Sequence, residues 1–157
     1  MTESSREFFK MSGSGNDFVF FETENIEAEP LAGPSSVRSL CIRETGLGGD
    51  GVVFLDSRSG SGLRIRYFNS DGSLGELCGN ATLCATRLAY ELGIVESDEF
   101  PIRTDSGVIS ARVRDGLPDI DLAPVTEVRD EAPSISRLSR ESCLGFARAG
   151  VPHLVIV

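Results

Sequence analysis

The sequence is poor in the residues that most cofactor chemistry needs. Lys10 is its only lysine, His153 its only histidine, and tryptophan is absent. A multi-histidine metal centre is thereby excluded, and a pyridoxal Schiff base would have to rest on Lys10, which falls in a predicted strand. The stretch GSGNDF lacks the last glycine and the following helix of a dinucleotide fingerprint. Neither a cofactor nor a metal is expected. Cysteine is scarce too: Cys41, Cys78, Cys84 and Cys143 have neither C-x-x-C spacing nor the density of a disulfide scaffold, so reduced thiols are expected. Basic residues number 15 against 24 acidic ones, a net charge of -9, which would repel a nucleic-acid backbone or an anionic membrane surface. No signal-peptide core precedes the first strand and no run is long enough to span a bilayer. The expected location is cytoplasmic and the expected partner a small molecule.

The chain has 157 residues, 40% of them hydrophobic, enough for an ordinary globular core. Residues 7–11 and 18–22 are apolar and aromatic, and SGSGND between them predicts a hairpin turn. PSSVRSLCIRETG predicts a short helix with Ser35 or Ser36 as its N-cap and Gly46 as its stop. GVVFLD and LRIRYFNS read as strands joined by SRSGSG. A helix is expected over 80–92, where Ala81, Leu83, Cys84, Ala85, Leu88, Ala89 and Leu92 leave only a narrow polar stripe. Such a helix is enclosed on most sides. The remainder is short, β-rich and broken by Gly, Pro and Asp, with TEVRDEAPSISRLSRES as a connection between sub-structures. HLVIV closes the sequence inside an apolar strand with no turn after it, the pattern of a chain cut short.

One thiol stands apart. Cys78 directly precedes Gly79-Asn80, where the helix begins, so it meets unpaired backbone N–H groups and the positive end of the helix dipole. Both favour the thiolate. The same N–H groups would hold a carboxylate and place the α-carbon of an amino acid beside the sulfur. Gly79 would leave that approach clear, and Asn80 would bond the ligand or cap the helix. Cys41, Cys84 and Cys143 lie in apolar patterns and read as packing residues. Asp17 and Asp71 follow Asn or Ser in turn sequences and are expected to bond their own backbone. His153 reads as a packed strand residue.

Taken together, KMSGSGNDFVF, RETGLGGDGVVFL, RIRYFNSDGSLGELCGNATLCATRLAYELG and AGVPHLVIV resemble, in order and spacing, the N-terminal half of the diaminopimelate epimerase family. That resemblance implies an α+β fold, a mixed β-barrel wrapped around a central helix, as one of two similar domains with the active site between them. Residues 1–125 would be the first domain, and 126–157 the connection and start of a truncated second. It also implies a cofactor-independent isomerase of lysine and peptidoglycan biosynthesis, interconverting LL- and meso-2,6-diaminopimelate. Two cysteines face each other across the substrate in this family, because inversion needs a proton removed on one face and returned on the other.

By the same resemblance Cys78 is the catalytic thiol, Asn16 and Asn69 hold the distal amino-acid head, and Gly79 and Asn80 hold the reactive end. No cysteine here matches the second thiol, so the chain alone is expected to be inactive unless a missing C-terminal domain, or a second copy of the chain, completes the site. Gly51 stands where many members have glutamine, and Val151 where many have an asparagine. Another amino-acid racemase of the same fold, or a non-catalytic binding domain keeping the half-site, are the alternative functions; Asn80 after Cys-Gly weighs against the proline-racemase type, which has histidine there.

Overall fold

A computed structural model describes residues 6–58, 62–130, 144–149 and 151–156. The chain divides into two compact units, Met1–Asp121 and Leu122–Val157.

The first unit is one mixed sheet curled about a helix. Strands β1 (Phe9–Gly13) and β2 (Asn16–Thr23) form the expected hairpin, followed by helix α1 (Pro34–Cys41) and strands β3 (Gly51–Asp56) and β4 (Leu63–Asn69). After the two-residue strand β5 (Leu74–Gly75) come helix α2 (Gly79–Glu91) and strands β6 (Glu99–Thr104), β7 (Gly107–Arg114) and β8 (Leu117–Ile120). The strand order is β1-β2-β3-β4-β6-β7-β8, with β5 on the flank of β4. Two neighbouring pairs, β2 with β3 and β4 with β6, run parallel. Both the first strand, β1, and the last, β8, touch α2, so the sheet bends around the helix as a half-barrel.

Burial explains the bend. On the concave side Ala81, Cys84, Ala85, Leu88 and Ala89 of α2 pack with Phe18, Phe20, Val53, Leu55, Leu63 and Ile102. The opposite faces of β2 and β3 carry Val19, Phe21, Val52 and Phe54, which pack with Val37 and Cys41 of α1. Strands covered on both faces are continuous apolar runs rather than alternating ones, as FVFF and VVFL are. Gly13 lets the hairpin press on the helix: a Cβ there would lie 2.8 Å from Cys84 Sγ.

Several local expectations change. Gly33, not Ser35 or Ser36, caps α1, because Pro34 supplies a first helical residue that needs no N–H partner. That helix ends at Cys41 with Ile42 extended, and Gly46 closes a separate turn by donating to the Ile42 carbonyl at 2.9 Å. In α2 Leu83 is only half-buried, and Leu92, which follows the helix as its C-cap, is exposed. Thr82 and Thr86 take their place in the core, since each hydroxyl donates to the carbonyl one turn back, Cys78 and Thr82 respectively, at 2.9 and 2.8 Å.

The second unit is a three-stranded sheet of β9 (Thr126–Arg129), β10 (Leu144–Ala149) and β11 (Val151–Ile156), ordered β11-β10-β9. The stretch read as a connection therefore opens with a strand. Its remaining residues from 131 on, and Cys143, lie outside the described residues. His153 sits in β11 opposite Ala147, but it is exposed rather than packed. Among the described residues no helix is long and apolar enough to cross a membrane.

Candidate active site

The turn after β4 delivers the chain to the start of α2. Asp71 Oδ1 accepts from the Ser73 N–H at 2.8 Å and the Ser73 hydroxyl at 2.6 Å, the self-contained turn expected of it. The chain then passes through β5 to Cys78, which stands one residue before the helix as its N-cap (φ -129°, ψ 109°). The Cys78 carbonyl accepts from the Thr82 N–H and hydroxyl, both at 2.9 Å. Its side chain makes no capping bond, so the sulfur is half-buried in a cleft shared with Tyr67, Gly75 and Thr82. The other two described thiols are buried. Burial pushes both Cys41 and Cys84 upward, away from the thiolate.

Two hydrogen-bond chains reach this helix start, each anchored on a carboxylate. In the first, Asp50 Oδ2 accepts from Asn16 Nδ2 at 3.1 Å, and Asn16 Oδ1 accepts from Asn80 Nδ2 at 2.9 Å. A carboxylate can only accept, so it dictates which way the Asn16 amide faces, and Asn16 in turn dictates the facing of Asn80. Asp50 is itself held by the Asp17 N–H at 3.1 Å and by Arg43 at 2.9 Å. Its carboxyl lies below the usual range, first through the Asn16 bond and then through the Asp17 N–H.

Asp17 does not bond its own backbone as expected. Both of its oxygens take Arg43, at 2.7 and 3.0 Å, with Lys10 Nζ 3.2 Å away. The Arg43 hydrogen bonds hold it far below the ordinary carboxylate value. The lone lysine thus serves an ion pair beside the hairpin.

In the second chain Asp71 receives the Ser73 hydroxyl, Ser73 Oγ receives Asn69 Nδ2 at 3.0 Å, and Asn69 Oδ1 receives the Tyr67 hydroxyl at 2.9 Å. Asn69 also faces Gly51 across the β3–β4 ladder. That glycine has a steric reason: a Cβ on it would lie 2.5 Å from Tyr67 Cε2, so the ring occupies the space a side chain at 51 would need. Of the residues read from the sequence, Asn16 and Asn80 touch directly, Gly79 opens α2 beside Cys78, and Asn69 joins through Tyr67. Val151 belongs to β11 in the other unit. Asp50 and Tyr67 were not anticipated; for Tyr67, the glycines at 51 and 75 on either side of a strand with two adjacent aromatics, Tyr67 and Phe68, were the available signal.

The family model for diaminopimelate epimerase matches residues 8–125. A diaminopimelate epimerase of Gemmatimonas aurantiaca is 41% identical over 151 residues, covering 96% of this chain and 54% of the relative. That of Aquifex aeolicus is 33% identical, covering 96% and 56%. The chain spans about half the length of these curated relatives. Among solved structures, a predicted epimerase of Pseudomonas aeruginosa superposes with a TM-score of 0.69 at 18% identity, covering 97% of this chain and 59% of that one. A hydroxyproline epimerase of Agrobacterium vitis gives 0.62 at 16%, covering 95% and 50%. At these identities the structural likeness speaks for the fold alone, and the fold is the half-barrel described above. On that sequence match, this chain belongs to the diaminopimelate epimerase family.

Proposed function

We propose that this chain supplies one half of an active site that inverts the α-carbon of diaminopimelate without a cofactor, in the cytoplasm, where its thiols stay reduced. The observation that carries the reading is Cys78 at the start of α2, half-buried in a cleft and not used as a cap, with Asn80 and Asn16 already bonded beside it. Names of the relatives supply the substrate; the helix start supplies a rationale for it. N–H groups of the first helical turn are suited to the carboxylate of the reactive centre. Cys78, as thiolate, takes the α-proton, the electron pair stays on the α-carbon next to that carboxylate, and an acid on the opposite face returns a proton. The second acid comes from outside the first unit. Residues 126–157 are read as the connection and the beginning of the domain that carries it, and a facing second copy of this chain is the other source.

The test uses the enzyme at the full length of its relatives, in D2O with LL-diaminopimelate. Formation of the meso isomer with deuterium at the inverted carbon is expected, and loss of that exchange when Cys78 becomes Ala. This 157-residue chain alone, as a monomer, is expected to yield no meso product. Turnover by the monomer, or by the Cys78→Ala enzyme, contradicts the reading.

A further inference from the structure

Tyr67 is placed more tightly than a half-buried aromatic needs to be. Its ring lies between two glycines on the strands that flank β4: a Cβ on Gly51 would come within 2.5 Å of it, and one on Gly75 within 2.3 Å. Gly75 is its direct partner across the β4–β5 ladder. Phe18 meets the ring edge-on, with centroids 6.0 Å apart. The phenol therefore has one position available, and in that position its hydroxyl reaches Asn69.

The direction of that bond follows from the carboxylate at the far end. Asp71 accepts the Ser73 hydroxyl proton, which leaves Ser73 Oγ to accept from the Asn69 amide nitrogen. The Asn69 oxygen is then the atom turned to Tyr67, and it accepts the phenol proton. Every proton in the chain runs one way, from Tyr67 toward Asp71. An Asn amide released from this chain could flip, exchanging a donor for an acceptor on the face where a ligand binds.

We propose that Tyr67 is a positioning residue for Asn69: its hydroxyl fixes which face of the Asn69 amide donates and which accepts, and so sets the site to receive a carboxylate at the remaining Asn69 N–H. This rests on the function proposed above only for the identity of that carboxylate. Burial, and then the neighbouring Cys78, push the phenol upward, so it stays a proton donor throughout the neutral range. Because the ring takes the space of a side chain at position 51, Gly51 and Tyr67 act as one unit. Enlarging the glycine displaces the hydroxyl.

Two readouts test this. In this chain, uniformly 15N-labelled, Tyr67→Phe should shift or split the side-chain amide resonances of Asn69 while those of Asn16 and Asn80 stay in place. Gly51→Ala, which keeps the hydroxyl but whose Cβ would meet the ring at 2.5 Å and the Phe68 carbonyl at 2.6 Å, should disturb the same Asn69 pair. In the full-length enzyme, Tyr67→Phe should raise KM for diaminopimelate about tenfold, the weight of one lost hydrogen bond, with kcat changed less than about threefold. Unmoved Asn69 resonances in the Phe variant, or a fall in kcat at constant KM, overturns the proposal. An inactive wild-type enzyme with a shifted Asn69 pair would instead sink the proposed function and leave the role of Tyr67 standing.

Discussion

Cys78 occupies the N-cap position of α2 without a side-chain capping bond, its sulfur half-buried beside a cleft, whereas Cys84, in the second turn of the same helix, is 4% exposed and lies over Gly13 of the hairpin. The cleft around the first is lined by Tyr67, Thr82, Thr104 and Asp105 together with Ile65 and Leu77, at the edge of the core. Around the second are Phe18, Phe20 and alanines. On the function proposed above, one helix carries a thiol available for chemistry and a thiol used as packing, six residues apart. What separates the two is not the residue type but the point where the half-barrel stops covering the helix.

Substituting the two cysteines separates these roles most strongly. In the full-length enzyme, Cys78→Ala should lower kcat by about 10^3-fold or more with a smaller change in thermal midpoint than Cys84→Ala, since a proton-transfer group is lost and Cys78 lies only at the edge of the core. Cys84→Ala should do the reverse: kcat within about threefold, and stability lower by about 1 kcal/mol for the small void left over Gly13. Equal losses of activity from both variants would erase the distinction.

A smaller effect is expected one step away from the sulfur. Asp50→Asn replaces the acceptor-only anchor of the first hydrogen-bond chain by an amide that can present either end to Asn16. The expected result is a fall of about tenfold in kcat/KM with the fold intact, because Asn16 and Asn80 lose their fixed facing. Wild-type kcat/KM in this variant would remove Asp50 from the site.

The smallest effect is on pH. Asp17 and Asp50 both have carboxyls held below their ordinary values, Asp17 first by Arg43 and Asp50 first by Asn16. A carboxyl depressed in the folded state contributes stability above its unfolded value of about 4 and loses it as pH falls toward the folded one. Acidification from about pH 6 to about pH 3 should therefore lower the thermal midpoint, and Arg43→Ala should flatten that dependence. An equally steep curve in the variant would show that this cluster does not anchor the hairpin at the Cys78 end.

How much of this the sequence could reveal depended on the range of the interaction. The hairpin over SGSGND, the strands GVVFLD and LRIRYFN, and α2 are set by local periodicity and turn residues, and they are where the pattern places them. Fold and family were legible from four stretches in register. The helix start at Cys78 was legible because it is a local signal. By contrast, the Asp50–Asn16 bond joins residues from separate strands and loops, and Tyr67 is fixed by glycines on two different strands, so no window along the chain contains either. Thr82 and Thr86 look polar in sequence and are buried because the helix itself satisfies their hydroxyls. Asp17 belongs to a turn by sequence, yet Arg43 captures it from a distant segment. The α1 cap was misplaced for a local reason, since Pro34 outranks the serines that follow it as the first helical residue.

The proposed role of Cys78 requires its thiol to be accessible and reactive while Cys41 and Cys84 remain closed. Timed alkylation of the folded chain with iodoacetamide at neutral pH, followed by peptide mapping, measures this directly. Cys78 is predicted to be modified first, with Cys41 and Cys84 protected until the chain is unfolded. Modification of Cys84 or Cys41 ahead of Cys78 in the folded protein would contradict it.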